Sequence, residues 1–154
     1  MRGFTLLELM VVVAIASIMS AMAIPNISVA TRRQKTLAET ADIERFLLGS
    51  RDTARVKNRC VELRAAGDRL VRTTYENCTG IEAAFYSGTT PTVSDVVRTK
   101  ELVLDKMQIV SVPTVIYLPS GAIGSSAITT MSFTGAGTSV SFNLWPASGA
   151  VERN

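Results

Sequence analysis

The chain opens on a run that is apolar at nearly every position: residues 4–24 carry one charge, Glu8, among Leu, Met, Val, Ile, Ala and Ser. A helix that is apolar all round must be surrounded by lipid or by other apolar helices. About 21 residues at ~1.5 Å each cover ~30 Å, the thickness of one bilayer core, so the run reads as a membrane span. A cleavable secretory signal would have a shorter apolar region, roughly 7–15 residues, before a small-residue cleavage site. Ser20-Ala21-Met22-Ala23 imitates such a site and is the lesser reading. Pro25 lacks the N–H that the carbonyl four residues back would accept, and a kink or local opening is expected just before it.

Helical signals resume beyond Pro25. From 28 to 58 only Gly49 interrupts them. Leu37, Ala41, Ile43, Phe46, Leu47, Leu48 and Ala54 form an apolar stripe at three- and four-residue steps, with Arg32, Arg33, Lys35, Glu39, Glu44, Arg45, Arg51, Asp52 and Arg55 on the opposite side. One long helix is expected, apolar in its first half and amphipathic in its second. After Asn58 the period changes to two. Residues 59–65 place Val61, Leu63 and Ala65 on one face, Ala66-Gly67-Asp68-Arg69 is a turn, and residues 70–76 return. Further strands are expected around 83–86, 93–97, 101–104, 107–112, 114–118, 127–133 and 140–144, with 130–134 and 139–143 as a terminal hairpin about Gly135-Ala136-Gly137. Pro113 suits an edge position or a break between two strands. The polar end after Trp145 reads as loose. The expected fold is α+β: a long N-terminal helix, transmembrane in its first half, against an antiparallel sheet of roughly five to eight strands.

Glu8 sits one to two turns inside the apolar run, where a carboxylate costs on the order of 2.5–3.5 kcal/mol and should be partnered or functional. No Lys or Arg lies three or four residues away. A carboxylate reaching the headgroups or simply protonated is the bland reading, and an intermolecular ion pair is the sharp one.

Gly3-Phe4-Thr5-Leu6-Leu7-Glu8, preceded by Arg2 and followed by an unbroken apolar helix ending near Pro25, resembles the N-terminus of type IV prepilins and type II secretion pseudopilins. That resemblance implies cleavage between Gly3 and Phe4 by a membrane-embedded prepilin peptidase and N-methylation of Phe4. It also implies a salt bridge from Glu8 to the freed amine of a neighbouring subunit. It divides the chain into leader 1–3, transmembrane and filament-core helix 4–25, amphipathic continuation 26–58 and globular β-rich domain 59–154. The leader Met1-Arg2-Gly3 is shorter and less basic than is usual in that family, so either it is minimal or the start lies upstream. Arg32, Arg33 and Lys35 would by loop charge hold the C-terminal side in the cytoplasm, whereas the resemblance implies its export. Their position just after the span also suits anionic headgroups or acidic residues of adjacent subunits. Ala54 to Cys60 at the helix end, the hairpin after it and the late strand-Gly-strand ending are most similar to the H-type minor pseudopilins and related minor pilins.

Composition removes most other classes. The chain has 154 residues, enough for one domain beyond the span, and a formal net charge of +3 that permits nucleic acid without requiring it. It contains no histidine, which takes away the commonest general base and metal ligand. Serines have no base to activate them, Gly135-Ala136-Gly137 has no following helix to cradle a phosphate, and neither a catalytic residue nor a cofactor or metal site is expected. Asn26-Ile27-Ser28 and Asn77-Cys78-Thr79 would accept glycans only in a eukaryotic secretory setting. Cys60 and Cys78, the only cysteines, flank the first hairpin; in an exported domain the even pair reads as a disulfide, two buried thiols being the alternative.

The functional expectation is a structural subunit: a minor pilin of a type IV pilus that helps to prime assembly at or near the tip. It would be held single-pass in the bacterial inner membrane with its C-terminal domain in the periplasm, then placed in a cell-surface pilus. The implied partners are other major and minor pilins through the N-terminal helix, the prepilin peptidase, the inner-membrane assembly platform and, before assembly, lipid. A minor pseudopilin of type II secretion, in a periplasmic pseudopilus, is the near alternative. A DNA-binding minor pilin is a more distant one, because most arginines fall on the helix.

Overall fold

The computed structural model describes residues 5–78, 96–125 and 127–154, and within them all side chains except those of 21–26. The strand expected at 83–86, most of that expected at 93–97 and the punctuated segment around them lie outside the described residues. The chain divides into two units, Met1–Lys35 and Thr36–Asn154.

One helix, α1 (Leu6–Lys57), accounts for 52 residues. Its assignment is continuous through Pro25, without the opening expected there; the side chain of Pro25, and any bend it imposes, fall outside the described residues. The C-terminal end is closed by a Schellman arrangement. Asn58 takes the left-handed conformation with φ 50°, the Arg59 N–H donates to the Ala54 carbonyl at 3.1 Å, and the Asn58 N–H donates to that of Arg55 at 3.4 Å.

In the second unit α1 buries Thr36, Thr40, Ile43, Phe46, Leu47, Ser50 and Ala54. Three of these are hydroxyl residues that a hydropathy pattern would place outside. Thr40 Oγ1 donates to the Thr36 carbonyl at 2.8 Å and Ser50 Oγ to that of Phe46 at 2.7 Å, so their polar atoms are satisfied by the helix itself and cost little to bury. Leu37, expected in the stripe, is 63% exposed. The buried face runs through 36, 40, 43, 47, 50 and 54, and Leu37 lies about 100° around the helix from its first member.

Among the described residues eight strands follow: β1 (Cys60–Ala66), β2 (Arg69–Tyr75), β3 (Val96–Val103), β4 (Gln108–Ser111), β5 (Val115–Tyr117), β6 (Thr129–Gly135), β7 (Thr138–Leu144) and β8 (Val151–Arg153). They form two antiparallel four-stranded sheets, ordered β3-β2-β1-β5 and β4-β6-β7-β8, rather than one sheet. Pro113 stands between β4 and β5, where the chain leaves one sheet for the other, a place with no ladder N–H to lose. The β6–β7 hairpin closes with Gly135 opposite Thr138, and both tip residues have positive φ, Ala136 at 49° and Gly137 at 76°. That is the turn whose twist matches paired strands. The polar C-terminus is not loose: Val151 pairs with Leu144, the Trp145 N–H donates to the Ala150 carbonyl at 2.9 Å, and Trp145 Nε1 donates to Glu152 at 3.2 Å.

The core joins α1 to both sheets. Ile43, Phe46, Leu47 and Ala54 meet Val61 and Leu63 of β1, Leu70 of β2, Val115 and Tyr117 of β5, Met131 and Phe133 of β6, and Phe142 and Leu144 of β7. Phe133 and Phe142 pack edge to face with ring centroids 5.9 Å apart. A smaller cluster holds Cys60, Tyr75 and Ile116, with Cys78 and Leu118 against it. Cys60 and Cys78 are joined by a disulfide with Cα atoms 5.2 Å apart, which in the chain-entropy account contributes on the order of 3 kcal/mol. In the same region the buried Tyr75 hydroxyl donates to the buried Glu62 carboxylate.

Glu39 makes the tightest tie between α1 and the loops. Its carboxylate accepts the backbone N–H groups of Asp105, Lys106 and Met107, the last two at 2.8 and 2.9 Å, and so fixes the β3–β4 connection to the helix. Bonds from backbone N–H to an ionised carboxylate are among the stronger ones.

Two measurements check these assignments on the full chain in detergent. Glu39→Ala should lower unfolding stability by about 1.5–3 kcal/mol, whereas Glu44→Ala, which loses only a 3.9 Å surface pair with Arg153, should cost under about 1 kcal/mol. Equal effects in denaturant titration would refute the assignment of Glu39 as the tie. Burial raises the Tyr117 phenol above its ordinary 10.0, and burial followed by the bond to Glu62 raises Tyr75. Both are protonated when folded, so stability is complete below about pH 10 and falls as pH rises past it. In a Tyr86→Phe background, which removes the third tyrosine, phenolate absorbance should therefore appear together with unfolding, and phenolate formation ahead of any loss of structure would contradict it.

Candidate functional site

The first unit begins with Thr5 as the cap of α1. Its hydroxyl accepts the Glu8 N–H at 3.3 Å, and its carbonyl accepts the N–H groups of Glu8 and Leu9 at 3.1 and 3.3 Å. Thr5 and Glu8 stand at the spacing of a capping box, and Glu8 lies in the first helical turn, where a carboxylate is favoured by the positive end of the helix dipole. Hydropathy places Glu8 one to two turns inside the apolar run; with α1 starting at Leu6 it is closer to the end. Hydropathy also passes over Thr5, whose capping role is carried by the spacing Thr-x-x-Glu.

Every described side chain from Thr5 to Ser20 is exposed within the chain. Leu6 is 78% exposed, Met10 65% and Met19 69%, and Val11, the most covered of the large ones, is still 50% exposed. The polar groups among them are turned inward on the helix: Ser17 Oγ donates to the Ala14 carbonyl and Ser20 Oγ to that of Ala16, each at 2.8 Å. The outer surface of this stretch is therefore apolar all round except at Glu8. Further along, Thr31 Oγ1 donates to the Ile27 carbonyl at 2.8 Å, and Arg32, Arg33 and Lys35 are exposed.

Among the described residues no helix is long and apolar enough to cross a membrane. The span expected at 4–24 includes Phe4 and residues 21–24, which lie outside the described backbone or side chains. Gly3 and Phe4, the expected cleavage junction and methylation position, are likewise outside the described residues. Among the described residues no group of three or more His, Cys, Asp or Glu is placed to hold a metal ion.

What the arrangement can do is bind apolar surface. An uncovered greasy helix with one acidic side chain near its start offers dispersion and packing to lipid or to like helices, and one point of charge for a cation.

Comparison with known proteins bears on both units. Residues 1–24 match the prokaryotic N-terminal methylation motif. No curated protein sequence matches the chain. Among solved structures it is similar to the type IV minor pilin FimU of Pseudomonas aeruginosa strain PAO1, with a TM-score of 0.57 and 11% identity over 80% of this chain and 91% of that one. It is also similar to the minor pseudopilin EpsH from the Type 2 Secretion System of Vibrio cholerae, with a TM-score of 0.48 and 15% identity over 77% of this chain and 94% of that one. The chain thus carries a prepilin-type N-terminal motif on a pilin-like fold.

Proposed function

We propose that the chain is a minor pilin of a type IV pilus, a non-catalytic structural subunit that is stored in the inner membrane by α1 and helps to prime the filament at or near its tip. The observation that carries this reading is the coincidence of the methylation motif at 1–24 with an apolar helix whose described side chains from 5 to 20 are exposed among the described residues. The pilin-like fold supports a filament subunit, and a minor pseudopilin of type II secretion is the near alternative.

The steps follow from the chemistry of the end. Cleavage between Gly3 and Phe4 frees an amine four residues before Glu8, and methylation keeps that amine positively charged. In lipid both charges are expensive. Between packed helices of two subunits the amine of one can meet the carboxylate of the other, and the low dielectric that penalises either alone strengthens the pair. Assembly then exchanges lipid for protein around residues 6–20 at little hydrophobic cost, so specificity comes from this pair and from close helix packing. The leader 1–3, the helix 4–25 and 26–58 and the domain 59–154 would be the working divisions. The other subunits, the prepilin peptidase and the inner-membrane assembly platform would be the partners.

Two variants test the proposal in a strain lacking the native gene. Gly3→Ala should leave the leader uncut, seen as retained Arg2 by mass spectrometry. Glu8→Ala should be processed normally but drop out of sheared filaments, with piliation and twitching reduced severalfold. Normal filament incorporation of Glu8→Ala would refute the charge pairing. Loss of exoprotein secretion with intact twitching on deletion would assign the chain to a secretion pseudopilus instead.

A further inference from the structure

Beside the end of α1, between the helix and strands β2 and β3, lies a pocket of about 130 Å³ lined by Thr53, Lys57, Arg72, Thr74, Arg98 and Lys100. At ~30 Å³ for each water in the liquid, that is room for about four waters or one small polyatomic ion. Among the described residues six line the pocket, four of them cations and two hydroxyls, and none a carboxylate.

The strand register makes this crowding costly. Arg72 on β2 is directly opposite Lys100 on β3, and Arg98 is opposite Thr74, one diagonal step from Arg72. Like charges directly across a ladder repel. Arg72 is also fixed in place, with its guanidinium 5.3 Å from the centre of the Phe46 ring. Burial, and then repulsion from Arg98, lower its pKa from the ordinary value.

The described acids nearby do not offset these charges. Asp42 and Glu101 line the adjoining groove, which Arg72 and Lys100 also border. Asp42 is engaged by Arg45 at 3.3 Å and Glu101 by Arg69 at 3.0 Å. Among the described residues none of Lys57, Arg72, Arg98 and Lys100 forms an ion pair. Lys57 alone would signal nothing, since a cation is favoured at a helix C-terminus. The strand residues have no such reason to gather.

We infer that this pocket binds a single phosphate-type oxyanion, held by Arg72, Arg98 and Lys100 with Thr74 as a hydroxyl donor; the Thr53 hydroxyl, which donates to the Gly49 carbonyl, lines the pocket without donating to the anion. Guanidinium groups match such an anion in shape as well as charge. The pocket's size suits one phosphate group, and carboxylates stand in the adjoining groove. The site is independent of the assembly proposed above and lies wholly in the second unit.

The test titrates the full chain in detergent with inorganic phosphate, replacing chloride at constant ionic strength, and reads calorimetric heat and the thermal midpoint. Saturable binding is expected, with a rise of about 5 °C near hundredfold saturation. Arg98→Gln and Lys100→Gln lie on exposed positions of β3 and should each weaken phosphate at least tenfold. Lys100→Glu should raise the midpoint without phosphate and abolish the response to it. A parallel titration with glycerol 3-phosphate separates sources: tighter binding than free phosphate assigns the site to a lipid-type phosphomonoester, and weaker binding to the free ion. The inference is overturned if phosphate does no more than chloride, if the Arg98→Gln, Lys100→Gln double variant binds undiminished, or if only an oligonucleotide saturates the surface.

Discussion

Apolar side chains must leave water, and α1 meets that requirement in two ways within one continuous helix. In the second unit Ile43, Phe46, Leu47 and Ala54 are covered by the chain's own sheets. In the first, Leu6 to Met19 are exposed, covered by nothing among the described residues. Because a helix satisfies its own backbone, the second condition is tolerable in hydrocarbon or among other helices and intolerable in water. The chain is therefore built to need a second apolar body, which is the physical content of a prepilin-type end on a pilin-like fold.

A single local device serves both units. Ser17, Ser20 and Thr31 in the first, and Thr40, Ser50 and Thr53 in the second, return their hydroxyls to a carbonyl one turn back. Each small polar residue thereby becomes, for its neighbours, a small apolar one. In the first unit this leaves a surface other helices can approach closely. In the second it lets Thr40 and Ser50 line a core face without orphaned donors.

The second unit is locked by three side-chain ties: Glu39 of α1 to residues 105–107, Tyr75 of β2 to Glu62 of β1, and Cys60 to Cys78. A scaffold fixed in this way can hold like charges together that would otherwise separate. The same rigidity that aligns β2 with β3 keeps Arg72 facing Lys100, so the cost of the pair is carried by the fold.

Much of this is legible in local chemistry. The period of hydrophobicity locates α1, and Asn58 marks its end because it tolerates the left-handed conformation. Gly67 and Gly137 mark hairpin tips, the two cysteines flank the first hairpin, and the Gly-Phe junction with Glu8 carries the motif. What the sequence does not reach depends on partners far along the chain. Leu37 turns outward while Thr40 and Ser50 turn inward, because hydroxyl bonding to the backbone hides their polarity from a hydropathy pattern. Strands β4 and β5 go to different sheets, and residues 151–153 become a strand, because β7 offers a free edge. Glu39 finds three N–H groups more than sixty positions away. Periodicity and turn chemistry are properties of neighbours, so the sequence alone determined the elements and the character of the N-terminal end. Which strand edges meet, which charges face each other and which hydroxyls are buried are properties of pairs brought together by packing, and only the tertiary structure decided them.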